Sequence, residues 1–194
     1  IEEEAFANCR SLESLAIPAK VESIGEKAFV CCTNLKSLKV AEGNSVYDSR
    51  NNCNAIIKTA SSTLIVGCST TIVPHDVTTI GANAFREMTF TDAMLPEGVK
   101  FIGKYAFWGS SCDNALIIPK SVEYIQGGIG DDLVLYAEAT SQPSGWVDAW
   151  CYPPNTAHPL AHPHYFYKES KPKSNVFKRK KYWHYVDGVP TIWE

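Results

Sequence analysis

Positive charge is in short supply. The 194 residues carry 18 Lys and Arg against 21 Asp and Glu, a net charge of -3, so no basic field exists to hold a phosphate backbone and nucleic acid is not an expected partner. Long apolar runs are also missing: the longest aliphatic stretches, such as Leu64 to Val66, are strand-sized, and none approaches the roughly 18 to 20 residues of a spanning helix. No Cys-x-x-Cys occurs, which leaves a zinc ribbon or a thioredoxin-like site without support. Gly-x-Ser-x-Gly, His-Glu-x-x-His, a phosphate loop and a dinucleotide fingerprint are all lacking, and no paired carboxylates fall in an identifiable cleft, so neither catalysis nor a cofactor is expected. Met, signal peptide and lipidation signal do not stand at the start, yet Ile1 falls inside a repeat. The chain therefore reads as a fragment, and the missing address means little.

What is present is 45% hydrophobic, 20% charged and 11% aromatic residues, the composition of a folded chain and not of a disordered tail. Self-similarity is strong. Pro18-Val21-Ile24, Pro74-Val77-Ile80, Pro96-Val99-Ile102 and Pro119-Val122-Ile125 all read Pro-x-x-Val-x-x-Ile. Four and five residues after the Ile come Ala28-Phe29, Ala84-Phe85 and Ala106-Phe107, with Ala5-Phe6 at the same offset from Ile1. Ala41 replaces one Pro, and the steps between Pro positions are then 23, 33, 22 and 23 residues. One coil thus holds an insertion of about ten residues.

A period of 22 to 23 residues carrying Leu-x-x-Leu-x-Ile/Val is too short for paired helices and falls in the leucine-rich-repeat range. Alternation turns Leu15 and Ile17 inward and Ala16 outward, and stacking such segments gives a parallel sheet with internal apolar ladders. Ala-Phe after Ile-Gly predicts a tight helical turn on the opposite side, the ring filling the coil, with Gly25, Gly81 and Gly103 supplying the bend. The fold class expected is an α+β repeat solenoid with short parallel strands and helical turns, closed by a small antiparallel β module.

The units Ile24-Gly-Glu-Lys-Ala-Phe-Val-Cys-Cys-Thr-Asn-Leu-Lys-Ser-Leu-Lys-Val40 and Ile102-Gly-Lys-Tyr-Ala-Phe107 resemble the BspA-like leucine-rich repeats of bacterial surface antigens. The resemblance covers about residues 1–130. It implies a secreted or surface-attached, non-enzymatic protein that adheres to host proteins or other cells, and it carries over no catalytic or binding residue.

Within the long step, at about 42–73, Tyr47 to Lys58 and Leu64 to Cys68 flank a small polar turn and read as a hairpin; similar variant coils recur among BspA-like proteins. The Asn-rich stretch before Ala55 lacks the Asp-x-Asp-x-Asp-Gly spacing of a calcium loop. Seven cysteines forbid complete internal pairing. Cys9 and Cys32, three residues after the repeat Phe, fit packed free thiols, while Cys53 and Cys68 flank the hairpin and a disulfide between them is open.

After Ile125 the motif fails, since Gln126-Gly-Gly-Ile-Gly130 stands where Gly-x-x-Ala-Phe belongs, and the solenoid is expected to end near 130. Tyr136 and Glu138 are echoed by Tyr167 and Glu169, 31 residues on, as two related strand units. Asp187-Gly188 between alternating apolar runs predicts a two-residue hairpin. Residues 131–194 therefore read as an aromatic β cap over the solenoid's apolar end, and similar tails follow many BspA-like repeats. Trp146, Trp150, Tyr182, Tyr185 and Trp193 serve as core or, in the minority reading, stack on sugars. His158, His162 and His164, with Cys151 near, form a metal-like cluster that lacks an acidic ligand and reads as a solvated loop. Lys178 to Lys181 reads as a charged loop.

Ala16, Lys39, Met94 and Ile117 fall two residues before successive Pro positions and are expected to point outward in one row across the sheet, as a contact site for a protein partner. The alternative is that the insertion breaks the row or the C-terminal module covers it. Surface adhesion through this face is the first functional reading, a structural spacer or capping segment of a larger surface protein the second, and carbohydrate binding through the C-terminal aromatics the third. Extracellular or cell-surface location goes with all of them.

Overall fold

The computed structural model describes residues 1–90, 95–112, 115–130, 133–148, 150–151, 164–171 and 181–193. Segments of two to six residues with one buried face can extend only as short strands. In chain order these are β1 (Ser14–Ile17), β2 (Ser37–Val40), β3 (Tyr47–Asp48), β4 (Ile56–Lys58) and β5 (Thr63–Val66). Next come β6 (Thr79–Ile80), β7 (Thr89–Phe90), β8 (Phe101–Ile102), β9 (Ser111–Cys112) and β10 (Leu116–Ile118). The last are β11 (Tyr124–Ile125), β12 (Leu135–Ala137), β13 (His164–Tyr167), β14 (Lys181–Val186) and β15 (Val189–Ile192). Equivalent strands of successive coils pair parallel and in register: β1 with β2, β5 with β6, β6 with β8, β8 with β11, and β7 with β9. The repeat residues Val77, Ile80, Val99 and Ile102 are fully buried between these ladders, as are Ile17, Leu38, Leu116 and Ile118.

The side opposite the strands turns without an α-helix among the described residues, which corrects the expected helical turns. Ala28 N donates to Gly25 O at 3.3 Å and Val30 N to Lys27 O at 3.1 Å. Each corner then holds two left-handed residues: Glu4, Lys27, Asn83 and Tyr105 before the Ala (φ 55, 53, 57 and 60), and Asn8, Cys31, Glu87 and Gly109 after the Phe (φ 61, 59, 58 and 65). Two such reversals within five residues leave no run of right-handed backbone long enough to propagate a helix. The rings fill the coils as expected, Phe6 stacking on Phe29 at 5.2 Å and Phe85 on Phe107 at 5.0 Å. Gly25 and Gly103 do not supply a bend, since neither has positive φ. A Cβ on Gly103 would stand 2.5 Å from Ala82 N, and one on Gly25 would strike the Glu2–Glu3 backbone; these glycines let the neighbouring coil pass close.

The insertion is a hairpin, with β4 antiparallel to both β3 and β5. Ile57 faces Leu64, but a register shift sets Ile56 opposite Val66. Continued outward, that register brings Cys68 to Asn54 and not to Cys53, and Cys68 Sγ lies 3.3 Å from Asn54 O. Cys53 and Cys68 are accordingly buried free thiols, as Cys32 is.

Past position 130 the stack goes on. Phe107 N donates to Ile129 O at 2.7 Å and Ile129 N to Trp150 O at 2.9 Å, with Ile129 in the place of the repeat Ala and Trp146 packed edge-on to Trp150 at 4.7 Å. Strands β12, β13 and β14 add to β10 in parallel, and only β14–β15 is antiparallel. The expected antiparallel module is thus corrected: each pass of the chain returns to the same side of the coil and runs in the same direction. Tyr136 pairs with Tyr165 and not Tyr167, two residues off the echo seen in the sequence, a shift that keeps the same face. The closing hairpin turns at Asp187 and Gly188 (φ 50 and 79), the double-positive geometry of a type I′ turn.

Candidate functional site

Adjacent corners are tied by a fixed set of backbone bonds. Glu4, Phe6 and Asn8 donate N–H to Glu26, Ala28 and Val30 at 3.1, 2.8 and 2.9 Å. Asn83, Phe85 and Glu87 donate to Lys104, Ala106 and Trp108 at 3.2, 2.8 and 2.8 Å, and Tyr105 and Phe107 to Gly127 and Ile129. The same three donors in the second corner are Lys27, Phe29 and Cys31, and among the described residues none of these N–H groups has a partner. The hairpin explains this. Its strands β3 and β4 add on to β5 and leave the corner that should follow Lys27–Cys31 as Gly67, whose N–H donates to Ala84 O at 2.8 Å. Neither Ala82 O nor Arg86 O, on the far side, accepts a bond among the described residues.

The missing corner is a cleft of ≈ 310 Å³. Ile24, Phe29, Ile65 and Met88 give it apolar walls, with Asn83 and Arg86 on the polar side. Arg86 Nη1 donates to Asn83 Oδ1 at 3.2 Å, its guanidinium lies 5.9 Å from the Tyr105 ring centre, and its buried Nε has no partner among the described residues. Lys27 is engaged elsewhere, with Glu4 at 3.1 Å and Glu3 at 3.9 Å. At one end Glu87 spans the gap: it pairs with Arg10 at 3.7 Å, while burial, together with a hydrogen bond to Glu87, pushes the Cys31 thiol up to about 11. The thiolate is disfavoured there. Nothing in the motif pattern pointed to these donors; the one available signal was the 33-residue step, which marks where the stack is interrupted.

Of the row expected from the sequence, Ala16 and Lys39 are side by side on β1 and β2 and both exposed. Ile117 lies in the separate sheet of β10, beside Tyr136, and is half-buried against Tyr136, Tyr165 and Trp183. Met94 lies outside the described residues, as do His158, His162 and Lys178 to Lys180; His164 begins β13. Trp146 and Trp150 are buried, Tyr182 and Trp193 half-buried, and Tyr185 exposed, its hydroxyl donating to Glu138 Oε1 at 2.8 Å. Among the described residues no helix is long and apolar enough to cross a membrane.

Short parallel ladders, one stacked Phe per coil and a 22 to 23-residue step define a leucine-rich repeat. Residues 66–129 match the family described as "BspA type Leucine rich repeat region (6 copies)", and this stretch of the chain carries repeats of that type. A crystal structure of the pneumococcal vaccine antigen PcpA is similar over 87% of this chain at 18% identity and a TM-score of 0.46. The chain spans 54% of that structure's length. No curated protein matches the chain.

Proposed function

We propose that the chain is a non-catalytic module of a secreted or cell-surface protein that binds a protein partner through the outer face of its solenoid. The BspA-type repeats over 66–129 support this reading; a solenoid presents an extended surface suited to protein recognition. The observation that carries it is the exposed pair Ala16 and Lys39, in register on β1 and β2, with Met94 and Ile117 as further members of the proposed contact row. Capture of host matrix and bacterial surface proteins on the immobilised chain tests it. Lys39→Glu and Ala16→Asp should abolish capture while shifting the thermal midpoint by only a few degrees, as exposed substitutions do. Retention of a partner by both variants would place the contact elsewhere, and absence of any partner would favour the spacer reading. An antibody that fails to reach the protein on intact cells would refute surface location.

A further inference from the structure

The cleft left by the hairpin has the shape of one absent coil corner. We infer that it receives an extended segment of a partner protein, with an apolar centre and one carboxylate, which completes the interrupted ladder. The unspent groups set the chemistry. Lys27 and Phe29 present N–H donors two residues apart, the spacing at which alternate carbonyls of extended backbone accept. In the corners on either side, equivalent donors are bonded to the carbonyls of residues 26 and 28 and of residues 104 and 106. Across the cleft, Ala82 O and Arg86 O are free to accept the segment's own N–H groups. Backbone groups in such a place are stabilised by pairing.

The walls narrow the class further. Ile24, Phe29, Ile65 and Met88 favour apolar side chains, and ≈ 310 Å³ is at the lower end of ligand cavities, room for a few residues and not for a folded element. Arg86 has no carboxylate partner, because Glu87 is turned to Arg10, so an acidic residue on the segment meets an uncompensated guanidinium. A phosphate dianion would find a single uncommitted cation there, since Lys27 is held by Glu4. This site is separate from the contact row on β1 and β2, and either can fail without the other.

The probe is a synthetic peptide copying residues 102–110 with Trp108→Glu, whose carbonyls at 104, 106 and 108 already serve this pairing in the intact chain. Amide hydrogen exchange is followed by NMR on the full 194-residue protein. At saturating peptide the Lys27 and Phe29 amides should exchange about tenfold more slowly or better, and Ala82→Trp, which blocks the cleft from an exposed position, should abolish the slowing. Arg86→Met should weaken the glutamate peptide to the level of its Trp108 parent. No slowing at millimolar peptide would mean that water alone satisfies these donors, and would overturn the inference. So would slowing that survives Ala82→Trp, or slowing that grows with protein concentration in the absence of peptide, which would assign the cleft to a second copy of the chain.

Discussion

Gly67 stands where the other corners carry Phe, and the ring of Phe85 fills the space its side chain would need: a Cβ there would land on that ring. Gly67→Ala should therefore cost about 1–3 kcal/mol through overpacking, read as a lower midpoint in chemical denaturation, and Phe85→Leu in the same chain should recover part of it. Asp48 reports on the other side of the hairpin. Burial opposes its charge, but hydrogen bonds from Arg50 and Thr59 outweigh that and hold its carboxyl below the usual range. A depressed folded value means that this stabilisation is present above the unfolded carboxyl value near 3.8 and is lost as pH falls through the folded one. Asp48→Asn should flatten the acid limb of stability below about pH 4 without changing its slope above neutrality. At this scale the sequence was only partly readable. The Phe and Ile positions declare themselves by repetition, whereas the left-handed sites hold Glu, Lys and Tyr as well as Asn and Gly. Their local preference is overridden by the ladder bonds that each corner makes.

The strands and hairpins differ in how openly the sequence announces them. Asp187-Gly188 and the Thr59–Ser61 turn were legible because turn chemistry is local. The direction of β12 to β14 was not, since parallel pairing depends on where a coil returns and leaves no dipeptide signature. The register of β13 was missed by two residues because tyrosines at 165 and 167 fit the same face equally well. Trp183 is the test of this sheet. It is fully buried, stacks on Tyr136 at 5.1 Å and donates Nε1–H to Ala137 O at 2.8 Å, so it ties β14 to β12 across β13. Trp183→Ala should cost about 3–5 kcal/mol and strip the near-ultraviolet dichroism of the aromatic face. Ile117→Asp, on the same face, should also destabilise, by about 1–3 kcal/mol, where a freely exposed position would tolerate the charge.

Across the whole molecule the repeat was visible in the sequence and its full extent was not. Motif residues stop at Ile125, but a coil needs only backbone that can take the corner and a side chain that fills it. Gly127 and Gly128 have positive φ (109 and 58), Ile129 replaces Ala, and the paired indoles of Trp146 and Trp150 close the end. The interruption behaves in the opposite way: the 33-residue step announced an insertion, yet the cleft it opens depends on which backbone bonds the hairpin withholds. The central claim is one continuous ladder that runs past the last recognisable repeat. Native-state hydrogen exchange on the intact chain tests it at Phe85, Phe107 and Ile129, whose amides bond successively to Ala106, Ile129 and Trp150. The account predicts that all three exchange through the same opening, with protection equal to the global stability; an Ile129 amide exchanging at the rate of unstructured chain while Phe85 stays protected would contradict it.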